Sequence, residues 1–231
     1  MDEKSLKTKK WQRVGILIIA ILMLGSTIVM YLMIVVAGNK EKSDSNEDGE
    51  TAELQKQLSE KQTALEEAGQ VLSDKYLNEM IGYKSEIHSY NAVTANEGGV
   101  TTRDLKEGDG TELVEGDTNY LAYYIGYCPN ETVFDSSFDS AENPTKLNVP
   151  IAGQGLIEGW NEGVIGMKIG GVREISIPSS LAYGEREMCD MTNAPLKFIV
   201  MTLPNEGDIS KAYNEYNDVY AKLSASYGSG Q

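Results

Sequence analysis

The sequence has few of the side chains that enzymes use for covalent or metal chemistry. Among 231 residues there are one histidine, His88, and two cysteines, Cys128 and Cys189. Three such residues cannot supply the four ligands of a structural zinc site. A histidine-based triad and metal-dependent hydrolysis are therefore poor expectations, and we expect neither a metal nor a cofactor. Any catalysis by this chain should be non-covalent.

Basic side chains are also scarce. The chain has 20 Lys and Arg against 35 Asp and Glu, which gives a formal charge of −15. Nucleic-acid binding needs clustered Lys and Arg, so a nucleic-acid partner is not expected. At 41% hydrophobic and 24% charged residues the composition is that of a folded protein, and the length allows one or two domains.

One long segment lacks charge altogether. Residues 14–37 contain no charged side chain, and at a rise of about 1.5 Å per residue they can span a hydrocarbon core of about 30 Å. A basic segment, residues 1–13, precedes them, which predicts a cytoplasmic N-terminus. A cleaved signal peptide is the alternative, but its apolar region is typically 7–15 residues long. We expect a retained signal-anchor: a single-pass cell-membrane protein that contacts the bilayer through residues 14–37 and whose remainder lies outside the cytoplasm.

The next two segments are predicted to be a linker and a helical stalk. Residues 38–50 are polar and acidic and are typical of a flexible linker. Residues 51–92 then show an apolar stripe at helical spacing, and we expect helix up to about Tyr90. The stripe is too short and interrupted for a confident coiled coil. Its positions are Leu54, Leu58, Lys61, Leu65, Ala68 and Leu72.

Strand patterns begin only in the second half of the chain. Residues 119–126, 172–178 and 196–203 are rich in aromatic and β-branched side chains, whereas residues 155–167 have helical spacing. A short helix among antiparallel strands indicates an α+β fold.

Residues 205–231 return to a helical pattern. The apolar stripe there either packs against the N-terminal helical segment or forms a homodimer seam through residues 205–224, and we expect residues 224–231 to be disordered. The stripe consists of Ile209, Tyr213, Tyr216, Tyr220 and Leu223.

Several short motifs occur in a defined order between residues 99 and 204. The motifs are Gly108-Asp-Gly110, Val114-Glu-Gly-Asp117, Tyr124-Ile-Gly126, Phe134-Asp-Ser-Ser137, Gly155-Leu-Ile-Glu-Gly-Trp160, Ala182-Tyr-Gly184 and Asn193-Ala-Pro-Leu-Lys-Phe198. On these motifs the sequence resembles the FKBP-type peptidyl-prolyl cis-trans isomerases, and we assign residues 95–204 to such a domain.

The resemblance implies a bent antiparallel sheet wrapped around one short helix, with an apolar pocket between them. By similarity Trp160 forms the pocket floor, Asp135 is the polar residue at its edge, and Leu147 stands at a wall position that is usually aromatic. The backbone N–H of Ile157 and the hydroxyl of Tyr183 are implied to bind peptide carbonyl oxygens. The implied catalytic residues are Tyr124, Phe134, Asp135, Ile157, Trp160, Tyr183 and Phe198, and the implied substrate-binding residues are Leu147 and Leu156.

Such residue types also suit rotation of a prolyl bond on physical grounds. The barrier of about 18–20 kcal/mol comes from amide resonance, which the twisted transition state loses. Because the twisted amide is less polar, an apolar aromatic site binds it better than the planar form. Taken one at a time, these residues are better explained as ordinary core or turn residues. Together, in this order, they favour a proline site.

The loop that follows Tyr183 differs from the family pattern. Residues 185–192 carry several charges, and the Ile-Pro-Pro that usually precedes the last strand is missing. Cys189 lies in this loop and Cys128 in the one before Phe134. A disulfide and two unpaired thiols both remain open, because sequence does not show the distance between them.

Three functional hypotheses follow. The first is a membrane-tethered isomerase that acts on Xaa-Pro bonds of proline-containing exported polypeptides. The second is a catalytically weak module that binds a partner protein at the cell surface. The third is a structural surface dimer built on the C-terminal helix.

Overall fold

A computed structural model of the chain describes residues 47–228. These residues belong to two compact units, one containing residues 47–62 and 215–228 and the other residues 63–214. The predicted cytoplasmic segment 1–13, the transmembrane segment 14–37 and most of the linker 38–50 lie outside the described residues. Within residues 47–228, no helix is both long enough and apolar enough to cross a membrane.

Four α-helices and six strands make up the described part of the chain. The helices are α1 (Glu47–Gly82), α2 (Ala92–Glu97), α3 (Glu158–Gly163) and α4 (Gly207–Gly228), with 3₁₀ turns at Tyr83–Glu86 and Ser179–Leu181. The strands are β1 (Thr101–Lys106), β2 (Tyr120–Tyr127), β3 (Val133–Ser136), β4 (Ile151–Ala152), β5 (Val172–Ile177) and β6 (Leu196–Pro204).

The strands form one antiparallel sheet in the order β1-β5-β6-β2-β3, with β4 paired to β2. The register places Tyr124 opposite Val200 and Ile175 opposite Phe198. The α+β fold is therefore confirmed, and the three predicted strands match to within one residue at each end. The helix expected over residues 155–167 is shorter, because Ile157 is extended (φ −64°, ψ 153°) and α3 begins only after it.

Successive side chains of β2 point to opposite faces of the sheet. Tyr120, Ala122 and Tyr124 point to one face, where they join a buried cluster with Trp160 of α3. Helix α3 lies close to β5, since a Cβ atom at Gly159 would stand only 2.2 Å from Cγ2 of Ile177. Glycine is what permits this approach, and it brings Trp160 onto the sheet.

Part of the predicted stalk contributes to the unit of residues 63–214. The ring of Tyr76 on α1 lies 6.4 Å from the ring of Tyr123, which faces away from α3. The hydroxyl of Ser73, also on α1, accepts a hydrogen bond from the Leu147 N–H at 2.8 Å. Residues 63–82 thus pack on this domain rather than only extending from it.

The other unit consists of the two helix ends. Leu58 of α1 packs with Val219 and Leu223 of α4. Within this unit, Lys61 forms an ion pair with Glu215 at 2.8 Å. Of the two uses expected for the C-terminal apolar stripe, the structure therefore shows packing against the N-terminal helical segment. This packing involves Val219 and Leu223, with Tyr216 and Tyr220 against them, and the homodimer seam through residues 205–224 stays a prediction.

Helix α1 ends earlier than the sequence predicts. The predicted helix ran to about Tyr90, but α1 stops at Gly82 and the backbone is extended at Ile87 (φ −74°, ψ 118°). Tertiary hydrogen bonds explain the difference: the Tyr90 hydroxyl contacts the carbonyl of Pro195 at 2.9 Å, and its N–H donates to Pro129 at 3.1 Å. These contacts stabilise an extended segment against the helical pattern.

Two boundary predictions were also wrong. Helix α1 begins at Glu47, inside the segment expected to be a flexible linker, and α4 continues to Gly228 through most of the expected disordered tail. The side chain of Gln55 donates to the Tyr227 hydroxyl at 2.8 Å, which holds this last turn of α4 in place.

Candidate active site

Trp160 is the central side chain of the candidate site. It is 2% exposed, and its indole N–H donates to the hydroxyl of Tyr120 at 3.1 Å. Its ring lies 5.7 Å from that of Tyr124 and 5.4 Å from that of Phe198, both near edge-to-face. Such pairs are more stable than area alone predicts. The helix α3 thus supplies the centre of an aromatic site on the sheet.

Phe134 of β3 extends this group of rings along β2. Its ring meets that of Phe198 edge-to-face at 5.6 Å. The two rings meet over Gly126, where a Cβ atom would lie 2.8 Å from Phe134 and 2.9 Å from Phe198. A side chain at this position would separate the rings. We call Tyr124, Phe134, Trp160 and Phe198 the aromatic cluster.

Asp135 supplies a carboxyl group at the edge of the aromatic cluster. The Tyr124 hydroxyl donates to Asp135 Oδ2 at 2.7 Å. Burial raises the pKa of Asp135, although hydrogen bonds from Tyr124 and the backbone of Ser136 oppose the shift. Burial and then the nearby Asp135 charge raise the pKa of Tyr124 well above its ordinary value. Tyr124 therefore stays protonated and is already engaged as a donor.

Two other donors next to the cluster have no partner within residues 47–228. The carbonyl of Ile157 accepts hydrogen bonds from Trp160 and Asn161, but its own N–H is unpaired. The hydroxyl of half-buried Tyr183 is likewise unpaired. Burial, followed by the charge of Asp135, raises the pKa of Tyr183, so this group remains a donor at neutral pH. Both groups are available to carbonyl oxygens of a bound peptide.

The chain is similar to known proteins across this region. The model of the family described as FKBP-type peptidyl-prolyl cis-trans isomerase matches residues 110–203. An FK506-binding protein of Neisseria meningitidis serogroup B is 41% identical over 87 residues, which are 38% of this chain and 76% of that protein. The chain belongs to the FKBP-type peptidyl-prolyl cis-trans isomerase family.

The chain is also similar to other proteins of this kind over part of its length. An FK506-binding protein of Streptomyces anulatus is 39% identical over 85 residues, 36% of this chain and 65% of that protein. Among solved structures, a chain described as AtFKBP13 is 31% identical and aligns with a TM-score of 0.35, over 44% of this chain and 89% of that chain.

The FKBP domain brings together eight of the nine predicted site residues. Three of them are buried in the hydrophobic core of the domain: Tyr124, Trp160 and Phe198. Four are half-buried and pack against that core: Phe134, Leu156, Ile157 and Tyr183. Asp135 accepts a hydrogen bond from Tyr124. Leu147 is not among these side chains. It is 3% exposed, its backbone pairs with Phe138, and its N–H donates to Ser73. The structure therefore places Leu147 beside α1.

Sequence analysis did not assign three residues that pack against the buried core of this FKBP domain. Met188, Cys189 and Met191, all half-buried, pack against it from the loop after Tyr183. Cys189 forms a disulfide with Cys128, with their Cα atoms 5.7 Å apart. This resolves the open question of cysteine pairing. The signal present in the sequence was a cysteine in each of two loops, one of which follows the strand that carries Tyr124.

A small cleft lies elsewhere in the FKBP domain. It has a volume of about 180 Å³ and lies between Asp104 and Arg173. These two side chains pair with each other, at 2.5 Å between Nε and Oδ1. Lys168 in the same cleft pairs with Glu107 at 2.6 Å. With its cationic groups engaged in this way, the cleft does not compete with the aromatic cluster as the functional site.

Proposed function

We propose that this FKBP-type isomerase rotates Xaa-Pro bonds at the aromatic cluster and assists the folding of exported proteins from a membrane anchor. One observation supports the site most strongly: the unpaired N–H of Ile157 and hydroxyl of Tyr183 stand next to the buried rings. Such a site offers an apolar surface to a proline ring and hydrogen-bond donors to the carbonyls beside it.

The apolar surface lowers the barrier by differential binding. A planar amide has resonance that the twisted transition state lacks, and resonance accounts for a barrier of about 18–20 kcal/mol. Transfer from water to the rings of Trp160, Phe198 and Phe134 therefore disfavours the planar, more polar form relative to the twisted one. No nucleophile, base or metal is needed for this step.

The polar groups hold one side of the bond while the other turns. A carbonyl oxygen bonded to the Ile157 N–H or the Tyr183 hydroxyl is fixed relative to the rings. Asp135 acts through Tyr124, because its carboxylate accepts the Tyr124 hydroxyl and sets the orientation of that ring. Asp135 is thus a positioning residue in this mechanism, whereas Tyr183 touches the substrate.

We expect the conservative change Tyr183→Phe to lower kcat/KM about ten-fold, since it removes one hydrogen bond to the bound peptide. Asp135→Ala should lower it by a similar factor, about ten-fold, by releasing Tyr124 and leaving its hydroxyl unpaired. The measurement is proline-limited refolding of a client protein by the purified full chain.

Tyr227→Phe is the matched control for this assay. It removes a hydroxyl that accepts a hydrogen bond from Gln55 within the helical unit, which contains none of the predicted site residues. Wild-type acceleration by this variant, with reduced acceleration by the other two, supports the proposed site. Peptide binding without any acceleration by the wild-type chain would instead identify a partner-binding module and contradict the enzymatic proposal.

The proposed location rests on two features. Residues 14–37 are uncharged and follow a basic segment, and the Cys128–Cys189 disulfide is of a kind that persists outside the reducing cytosol. Proline-containing exported polypeptides would then be the substrates, since uncatalysed prolyl isomerisation takes tens of seconds or more.

Membrane fractionation tests this location. We expect the full chain to stay in the membrane pellet after alkaline extraction, because a spanning helix is not released by breaking ionic contacts. A variant without residues 14–37 should move to the supernatant. In intact cells whose outer membrane or cell wall has been removed, a protease added to the medium should digest the isomerase domain of the wild-type chain. Release of the full chain by alkali would refute the anchor.

A further inference from the structure

A disulfide joins two loops beside the aromatic cluster. Cys128 directly follows β2, is 1% exposed, and stands four residues after Tyr124. Its partner, Cys189, lies in the loop after Tyr183. The bond therefore links the strand of Tyr124 to the segment that follows Tyr183.

That segment forms a tight hairpin. The N–H of Met188 donates to the carbonyl of Met191 at 3.0 Å, and the N–H of Met191 donates back at 3.0 Å. Cys189 and Asp190 between them have φ of +59° and +57°. Both values lie in the left-handed region, which costs free energy for any residue except glycine. The hairpin therefore needs contacts outside itself to hold it.

Those outside contacts are with the hydrophobic core on which the candidate site is built. Met188, Cys189 and Met191 all pack against the buried group that contains Tyr124 and Trp160. Within residues 47–228, the disulfide is the one covalent cross-link between this hairpin and the end of β2. Packing of flexible methionines alone defines a wall poorly, because their side chains adopt many rotamers.

The segments on either side of residues 184–192 have their own anchors. The Asn96 side chain donates to the carbonyl of Asn193 at 2.9 Å and accepts from the N–H of Ser179 at 2.8 Å. The sheet register of β2, β5 and β6 involves neither cysteine. Loss of the disulfide should therefore release the hairpin locally while the sheet and α3 stay in place.

We propose that the Cys128–Cys189 disulfide is a positioning element of the proline site, which holds the 188–191 hairpin as one wall and thereby sets the affinity for the peptide. The inference rests on the proposed function for the location of that site. Reduction by a dithiol breaks the S–S bond and gives two Cys thiols, while the dithiol loses two electrons and two protons and closes to its own disulfide. The site is then open on the hairpin side.

The test compares the oxidised full chain with the same chain reduced by dithiothreitol. Binding of the tetrapeptide Ala-Leu-Pro-Phe is followed by tryptophan fluorescence. We expect the Kd to rise about ten-fold on reduction. In the isomerase assay the KM should rise by a similar factor, about ten-fold, while kcat changes less than about two-fold, because the hairpin binds the peptide but does not stabilise the twisted amide.

Two variants complete the experiment. Cys128→Ser/Cys189→Ser should have the Kd of the reduced chain and no response to dithiothreitol. Adding Asp190→Gly to it should recover part of the affinity, since glycine adopts the left-handed turn at no steric cost. Equal Kd values for the oxidised and reduced chains would overturn the proposal, as would loss of the sheet's far-ultraviolet circular dichroism on reduction. A Kd that responds to reduction in a chain without turnover would support this wall and refute only the isomerase function.

Discussion

Trp160→Ala is expected to lower kcat/KM for prolyl isomerisation by about 100-fold or more, the equivalent of about 2.7 kcal/mol of transition-state stabilisation. The indole lies against the rings of Tyr124 and Phe198 and is almost completely buried. Its removal takes away the apolar surface on which the twisted amide is stabilised and admits water to the site. Proline-limited refolding with the full chain measures the effect.

Trp160→Phe is the control that separates loss of the aromatic surface from loss of the indole hydrogen bond. Phenylalanine keeps an aromatic face but loses the hydrogen bond to Tyr120, so we expect a smaller loss of about ten-fold. Unfolding in urea must accompany both assays, because replacing a buried tryptophan by alanine costs about 3–5 kcal/mol of stability. A folded Trp160→Ala variant with wild-type kcat/KM would refute the assignment of Trp160.

Gly159→Ala is expected to destabilise the isomerase domain by about 3 kcal/mol, near the upper end of ordinary overpacking effects. The new Cβ would stand 2.2 Å from Cγ2 of Ile177, which is fully buried. Carbon atoms in contact prefer about 3.5–4.0 Å, so α3 has to move away from β5. Because Ile157 and Trp160 lie on either side of this glycine, activity should fall together with stability. Urea unfolding measures the change.

Gly82→Ala is the matched control, because a Cβ atom there meets nothing within 4 Å and the backbone is helical (φ −56°, ψ −37°). It should stabilise the chain by up to about 1 kcal/mol. A double-mutant cycle with Ile177→Ala isolates the contact, and the double variant should lose less stability than the sum of the single ones. Similar unfolding free energies for Gly159→Ala and Gly82→Ala would show that α3 does not need the close approach.

Most helices and strands of the fold were predictable from periodic patterns in the sequence. The aromatic and β-branched runs around Tyr124 and Phe198 predicted β2 and β6 almost to the residue, because both strands are long and buried on both faces. The stripe from Ile209 to Leu223 predicted α4, because its apolar residues recur at a regular helical period. The predictions failed at helix ends. The segment around Tyr90, predicted to be helical, is held extended by hydrogen bonds to residues far along the chain.

The candidate site was predictable in part. The resemblance to FKBP-type isomerases assigned Tyr124, Asp135, Trp160 and Tyr183 to one site, and the structure brings these side chains together. Leu147 was assigned by its place in a motif pattern, and the structure instead places it against Ser73 of a helix outside the family match. Such a contact depends on a packing partner that the motifs do not contain.

The sequence by itself determined the α+β class, the resemblance to FKBP-type isomerases and most of the aromatic cluster, because local periodicity and motif spacing are properties of short segments. Only the tertiary structure decided that Cys128 pairs with Cys189, that Met188 and Met191 pack against the core around Trp160, and that Val219 and Leu223 pack with Leu58 of α1. Each of these depends on the distance between segments far apart in the chain. The sheet register and the packing of helices set that distance, and neither is written in any one segment.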